Sequence, residues 1–224
     1  MADSDLLLTV AVLGGTGKEG RGLAYRWARA GYKVNIGSRD EARAQETAKE
    51  LLGLLEGEAH VEGMSNSEAA LKSNIVVLSV PYAAHESTLE SVKTDLKGKI
   101  LVDVTVPLVP PKVSTVQMPA AGSAAQAARA ILGEDVQVCA AFQNISYEHL
   151  MENDDVDCDV LVTGTSKEAR TEVIKLVEAA GLKGWDAGPI ENSVVVEGLT
   201  SVLIGINKKY GSTHAGIRIT GVNR

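Results

Sequence analysis

The amino-acid sequence predicts an α/β fold in which helices cover both faces of a doubly wound parallel sheet. Short continuous apolar runs at residues 6–13, 74–80 and 100–106 are typical of strands that are buried on both faces. Amphipathic segments separate these runs, as the helices of such a sheet require. With 224 residues, of which 45% are hydrophobic, the chain can form one large domain or a domain with a small appendage.

A glycine-rich turn joins the first strand to the first helix. Gly15, Gly17 and Gly20 have the spacing G-x-G-x-x-G and follow the apolar run 6–13 directly. In this motif the glycines permit a tight turn, the close approach of a pyrophosphate, and close packing of helix and strand. Phosphates bind there because free N–H groups and the helix dipole favour negative charge. The turn predicts dinucleotide binding and a Rossmann-type fold; the alternative is a glycine turn with only a structural role.

The residues after the second strand, 33–37, indicate which dinucleotide binds. An NAD site has an acidic residue there, which accepts a hydrogen bond from the ribose 2′-OH. This chain has Ser38 and Arg39 instead, with Arg43 one helical turn further on, and these groups suit the 2′-phosphate of NADP. The alternative is that Ser38 or Asp40 caps the next helix and the arginines are solvated. Asp40 could in principle serve NAD, but it lies where a helix begins.

The rest of the chain continues the alternation of strands and helices. We expect helices at 41–55, 82–96, 123–132 and 167–180, and further strands at about 60–63, 74–80, 100–106, 136–142 and 159–163. Three segments lack either pattern: an irregular loop at 108–122, a solvated acidic linker at 152–159 and a turn at 184–189.

Two prolines mark the ends of neighbouring strands. Pro81 follows Ser79 and Val80, and Pro107 follows Thr105 and Val106. The ends of parallel strands border the ligand crevice of a doubly wound sheet. These two segments are therefore candidate cofactor-facing turns, and plain turns are the alternative.

An apolar segment at 191–209 predicts a long C-terminal helix. It is too hydrophobic to stand alone, so we expect it to pack on the core or on a second subunit. We divide the chain into an NADP-binding Rossmann domain, 1–148, and a small α/β extension with the long helix, 149–224, packed together as one compact unit. We also expect a homodimer or a higher homo-oligomer.

Composition excludes several classes of function. The net charge of −7 offers no basic surface for nucleic acid. No apolar run reaches the roughly 18 residues that span a bilayer, and the acidic N-terminus is unlike a signal peptide. Cys139 and Cys158 lack metal-binding spacing and are expected to be buried in a reducing compartment. We expect a cytoplasmic protein that binds neither nucleic acid nor membranes.

The sequence contains little acid–base machinery. The four histidines are scattered and have no evident nucleophile or ligand partner: His60, His85, His149 and His214. A hydrolytic triad or a metal site would require chance meetings in space, so we expect neither. This pattern favours chemistry that a cofactor carries while the protein aligns two partners.

Several stretches together resemble one family over nearly the whole chain. They are AVLGGTGKEGRGLA, IGSRD, VLSVP, KGKILVDVTVPL, GSAAQAAR, AAFQNIS, VDCDVLV and HAGIRITGV. The chain resembles the F420-dependent NADP reductases, which move hydride between NADP(H) and the 5-deazaflavin coenzyme F420. The resemblance implies direct transfer between C4 of the nicotinamide and C5 of the deazaflavin.

The resemblance also implies roles for individual residues. Those at the NADP phosphates are Thr16, Gly17, Lys18 and Glu19, and those at the 2′-phosphate are Ser38, Arg39 and Arg43. Those lining the nicotinamide are Val80, Val106, Asn144 and Ile145. Gln143 and Thr200 would lie against the deazaflavin and are the candidate catalytic residues. Some relatives have histidine in place of Gln143 and serine in place of Gly198.

Two other functions fit the same nucleotide site. One is an NADPH-dependent reductase of another acceptor, such as a flavin, a cyclic imine or a ferric complex. The other is a binding module without catalysis, in which an inactive Rossmann domain reports NADPH to a partner. Acceptor preference distinguishes the first from the F420 reductase, and any turnover excludes the second.

Overall fold

A computed structural model describes residues 8–151 and 156–222 of the chain. The acidic N-terminus, the start of the first predicted strand and the first half of the predicted acidic linker lie outside these residues. The strands are β1 (Thr9–Leu13), β2 (Lys33–Ser38), β3 (His60–Ser65), β4 (Ile75–Leu78), β5 (Ile100–Asp103), β6 (Gln137–Ala140), β7 (Asp159–Gly164) and β8 (Lys183–Pro189). The helices are α1 (Lys18–Arg29), α2 (Glu41–Leu54), α3 (Asn66–Leu71), α4 (Tyr82–Val92), α5 (Ala124–Leu132), α6 (Tyr147–Leu150), α7 (Lys167–Ala179) and α8 (Ser193–Tyr210).

All eight strands belong to one sheet, in the order β3-β2-β1-β4-β5-β6-β7-β8. The first six strands are parallel and have the strand order of a Rossmann fold. β7 runs antiparallel to β6, and β8 pairs with β7 in parallel. The predicted α/β fold with a Rossmann-type sheet is confirmed.

Side chains of β1 alternate between two cores, one on each face of the sheet. Val10 and Val12 belong to the core beneath α1, α2 and α7, whereas Ala11 and Leu13 belong to the core beneath α3, α4 and α5. A strand buried on both faces needs apolar residues at every position, which explains the continuous runs in the sequence.

Strands β4 and β5 are shorter than predicted and end before the prolines. The expected strands at 74–80 and 100–106 pair only to Leu78 and Asp103. Ser79 N still donates to Leu13 O at 2.9 Å and Val104 N to Leu78 O at 3.1 Å, and the chain leaves the sheet after these bonds. The residues from there to the prolines line the cleft above the sheet.

The predicted turn at 184–189 is wrong, because these residues belong to β8. Its sequence, KGWDAGP, lacks a run of β-branched residues, which hid the strand from a pattern search. β8 is held by its ladder with β7 and by close packing on α7. A Cβ on Gly184 would lie 3.3 Å from both Val177 and Ile174.

The long helix α8 is present, with an apolar sequence that ends in a left-handed Gly211. The elements after residue 148 are not separate from those before it. β7 joins the same sheet, and buried Arg26 of α1 donates to the carbonyls of Leu150 and Ala180 at 2.9 and 3.3 Å. No helix within the described residues is long and apolar enough to cross a membrane.

Candidate functional site

The glycine turn after β1 presents an uncapped helix N-terminus. Gly14 has φ +78°, a conformation that favours glycine, and its N–H donates to Gly37 O at 3.0 Å. Gly17 occupies the N-cap position of α1, and no side chain bonds to the helix there. A Cβ on Gly20 would lie 2.9 Å from Gly14 O, so helix and turn pack too closely for a side chain. The first N–H groups of α1 are therefore available to a phosphate.

A cavity of about 540 Å³ extends from this turn toward the end of β2. The predicted residues that line it are Thr16, Gly17, Ser38, Arg39, Arg43, Val80 and Pro81. Gly15 does not line it, because it lies against Val12 O and Ile36. Arg39 and Arg43 are both exposed and flank one end of the cavity. Two guanidinium groups at one end and an uncapped helix at the other fit the two phosphate positions of NADP.

Asp40 is engaged as the N-cap of α2. Its Oδ1 accepts from Arg43 N at 3.2 Å, and its own N–H donates to Ser38 Oγ at 3.1 Å. The structure therefore confirms that Asp40 begins a helix.

A second cavity, of about 520 Å³, adjoins the first and shares Gly17, Ser79, Val80 and Pro81 with it. The predicted residues that line it are Lys18, Glu19, Val80, Pro81, Val106, Gln143, Ile145 and Thr200. Its remaining walls are mostly apolar and include Val104, Leu108 and Val113. Such walls suit flat ring systems, and the shared residues place the two cavities side by side.

Asn144 does not line this cavity but braces it. Its Nδ2 donates to Val196 O at 2.9 Å and to Thr200 Oγ1 at 3.1 Å, and its side chain is buried. Thr200 Oγ1 in turn donates to Gln143 O at 2.8 Å. These bonds fasten the segment after β6 to the middle of α8.

Gln143 presents an unused hydrogen-bond acceptor. Its Nε2 donates to Asp103 O at 2.7 Å, whereas its buried Oε1 has no partner. A buried acceptor without a partner costs roughly 1–3 kcal/mol, and because Gln143 lines the cavity, its Oε1 is a candidate acceptor for an N–H group that enters there. This observation supports the fit of a nicotinamide carboxamide or a deazaflavin ring.

The preceding residue, Phe142, is strained. Its φ is +71°, and the left-handed region costs an L-residue roughly 1–2 kcal/mol. Its buried ring packs edge to face on Trp27, with centroids 5.8 Å apart, which holds the conformation in place. Strain of this kind clusters at functional sites, here at the turn that brings Gln143 to the cavity.

Three buried titratable side chains lie beneath the second cavity, and sequence reasoning missed their association. His85 Nε2 lies 2.7 Å from Asp103 Oδ2, a pairing that the scattered positions of the histidines in the sequence did not indicate. The carboxylate of Glu197 accepts from Ala124 N and Ala125 N at 2.7 and 3.0 Å. Two features of the sequence could have indicated these groups. Asp103 interrupts the apolar run 100–106, and Glu197 is a lone acidic residue in the apolar helix α8.

Burial and neighbouring charge shift the pKa values of these groups. Burial raises the pKa of Glu197 to about 8 and outweighs the lowering by its two N–H donors, and the charge of Asp103 adds to the rise. Burial lowers the pKa of His85, but its hydrogen bond to Asp103 and the charges of Asp103, Glu197 and Glu86 raise it overall. Burial also raises the pKa of Glu19 to about 8.

The described part of the chain contains no candidate metal site. Among residues 8–151 and 156–222, no group of three or more His, Cys, Asp or Glu side chains could hold a metal ion. Both cysteines are buried, and burial raises the pKa of the Cys139 thiol to about 12.

Comparison with known proteins identifies the family of the chain. Residues 9–107 match the family model described as NADP oxidoreductase, coenzyme F420-dependent. The F420-dependent NADP reductases of Methanocaldococcus jannaschii and Methanothermobacter marburgensis are each 40% identical to the chain, over 223 and 222 residues. Each alignment covers 96% of this chain and 99% of the relative. The crystal structure of a candidate F420-dependent NADP reductase from Arthrobacter sp. FB24 superposes with a TM-score of 0.79 at 24% identity, covering 96% of this chain and all of that one. The chain belongs to the F420-dependent NADP reductase family.

Proposed function

We propose that this protein transfers a hydride directly between NADP(H) and the deazaflavin coenzyme F420. It is an NADP-dependent oxidoreductase. The observation that carries the proposal is the pair of adjoining cavities, one bordered by two arginines and an uncapped helix, the other by apolar walls. The cavities meet at Val80 and Pro81, where the reactive ends of two coenzymes would face each other.

The first cavity would hold NADP. Arg39, Arg43 and Ser38 bind the 2′-phosphate, because guanidinium groups form paired, charge-assisted bonds with phosphate oxygens. The N–H groups at the start of α1 bind the pyrophosphate, with Thr16 and Lys18 beside them. Val80 and Pro81 border the place where the nicotinamide enters the second cavity.

The second cavity would bring the two rings together. Nicotinamide and deazaflavin supply the hydride chemistry, and the protein holds both rings and excludes water. Gln143 Oε1 accepts an N–H from one of the rings, and Thr200 fixes the backbone that carries Gln143. Ile145 and Val106 contribute apolar wall. Orienting two reactants in this way can lower a barrier by about 7–11 kcal/mol.

Both parts of the chain contribute to the proposed site. Residues 1–148 supply the NADP cavity and most of the second one, and residues 149–224 supply its last wall through Thr200. We place the protein in the cytoplasm, where both coenzymes are dissolved.

We further propose a homodimer built on α8. Val195, Val202 and Ile206 are 68%, 47% and 41% exposed and, with half-buried Leu199, repeat at the spacing of a coiled-coil seam. A second copy of the same seam is self-complementary across a two-fold axis.

Sedimentation should give a dimer for the native protein and a monomer for Val202→Glu, whereas the control Lys208→Glu at the polar end of the helix stays dimeric. A monomeric native protein would refute the proposal.

An acceptor assay tests the function. Purified protein is mixed with NADPH and oxidised F420, and separately with FMN, FAD, a cyclic imine or a ferric chelate, while the acceptor's absorbance is followed. The deazaflavin should be reduced much faster than the others. Faster turnover of another acceptor would support the alternative reductase. NADPH binding without any turnover would support the sensing module.

A further inference from the structure

His85, Asp103 and Glu197 form a buried polar cluster that the proposed chemistry does not use. Their exposed fractions are 2%, 0% and 0%, and they come from three separate elements, α4, β5 and α8. Buried ionisable groups are costly unless they are paired, so their presence calls for a reason. For Glu197 the reason is structural, because its carboxylate accepts from two N–H groups at the start of α5.

Asp103 connects this cluster to the second cavity through three bonds. Its Oδ1 accepts from Thr105 N at 3.0 Å, and its Oδ2 lies 2.7 Å from His85 Nε2. In the tautomer with the ring proton on Nε2, the imidazole donates this bond to the carboxylate. The backbone carbonyl of the same residue accepts from Gln143 Nε2 at 2.7 Å.

Both sides of the cavity therefore depend on how Asp103 is held. The bond to Thr105 N fixes the turn after β5 that presents Val104, Thr105 and Val106 to the cavity. The bond from Gln143 Nε2 determines where the free Oε1 of that amide points. A shift of Asp103 would move the wall and the unused acceptor together.

His85 is what keeps the Asp103 carboxylate in this orientation. Within the described residues, its donors are His85 and the backbone of Thr105. Removing the imidazole would leave Oδ2 buried without a donor, and the carboxylate would turn toward another partner or take up a proton. Either change loosens the turn and the carbonyl to which Gln143 is bound.

We propose that His85 is a positioning residue for hydride transfer, which acts through Asp103 to hold Gln143 and the 104–106 turn against the bound rings. This inference rests on the proposed function, because it assigns the cluster a role in that reaction. His85 itself does not line the second cavity and exchanges no proton with either coenzyme.

Four variants separate the hydrogen bond from simple packing. His85→Gln places an amide N–H near the position of Nε2, whereas His85→Asn places one near Nδ1, and His85→Met removes the donor. Leu89→Val is the control, since Leu89 is fully buried on the same helix and belongs to the core rather than to the cluster. It should lower the melting temperature without touching Asp103.

Two readouts test the proposal. In ¹⁵N-labelled protein, the side-chain amide signals of Gln143 are assigned by their loss in Gln143→Glu. These signals should move toward free-amide positions in His85→Met and His85→Asn. They should stay near their native positions in His85→Gln and Leu89→Val. In turnover with NADPH and F420, His85→Met and His85→Asn should lose about tenfold in kcat. Their primary deuterium isotope effect should rise, while the dissociation constant for NADPH stays within about threefold of native.

The two proposals fail in different ways. If native protein does not reduce F420, the proposed function fails, and the amide signals still decide whether His85 positions Gln143. Unchanged Gln143 signals in His85→Met would overturn the inference. So would a His85→Gln variant as impaired as His85→Met, or an equal loss of kcat in Leu89→Val.

Discussion

Replacing Arg39 with alanine should weaken the binding of NADPH and leave the binding of NADH almost unchanged. Arg39 lines the first cavity beside Ser38 and Arg43, and its side chain is exposed. A charge-assisted hydrogen bond is worth about 1.5–3 kcal/mol, with the lower end appropriate to a solvated site. At about 1.4 kcal/mol per decade, that lower end corresponds to a rise of about tenfold in the Michaelis constant for NADPH.

The assay compares steady-state kinetics with NADPH and NADH at fixed F420. NADH lacks the 2′-phosphate, so its kinetics should hardly change in Arg39→Ala. Lys49→Ala is the matched control, because it removes an exposed positive charge from α2 without changing the cavity. Arg39→Lys should fall between native and alanine, since an ammonium keeps the charge but loses the paired geometry. Equal losses with both coenzymes, or a loss in Lys49→Ala as large as in Arg39→Ala, would refute this reasoning.

Two further predictions concern stability. The pKa of Glu197 is raised to about 8 from an ordinary 4.5, so between these values the folded protein retains a proton that the unfolded chain releases. The contribution of Glu197 to the free energy of unfolding is therefore complete below about pH 4.5 and is lost as the pH rises through about 8. Melting temperatures measured across that range should fall less steeply in Glu197→Gln than in native protein, with Glu19 supplying part of the remaining slope; identical slopes would contradict the assignment. Gly22→Ala should destabilise the protein by about 1–3 kcal/mol in urea unfolding, because its Cβ would lie 2.5 Å from Leu150 Cβ. Gly53→Ala on α2, where nothing lies within 4 Å of the added Cβ, should instead stabilise the protein by about 0.5–1 kcal/mol. If both substitutions stabilised the protein, α1 and α6 would be able to separate freely, which would contradict the close packing of Gly22 on Leu150.

Much of the fold could be predicted because its strands are buried on both faces. Continuous apolar runs identify β1, β4 and β5, and the glycine turn fixes their relation to α1. Edge strand β8 has no such run, and its residues were predicted as a turn. The short helices α3 and α6 were also missed, since fewer than two turns produce no reliable periodicity.

The site was predictable where a local motif carries the chemistry. Gly17, Ser38, Arg39 and Arg43 follow from the spacing of glycines and cations around two strand ends, and they line one cavity. The pairing of His85 with Asp103 and the free Oε1 of Gln143 depend on contacts between separate elements. Neither His85 nor Asp103 lies in a spacing pattern that indicates the other, so only the folded structure brings them together.

The central claim is that hydride passes directly from one coenzyme to the other. It is tested by preparing NADPH with deuterium on either face of C4, reducing F420 in ordinary water, and examining the product by mass spectrometry and NMR. The account predicts that one of the two labelled forms places its deuterium on C5 of the reduced deazaflavin. Loss of deuterium to water from both forms, with unlabelled reduced F420 as the product, would contradict it.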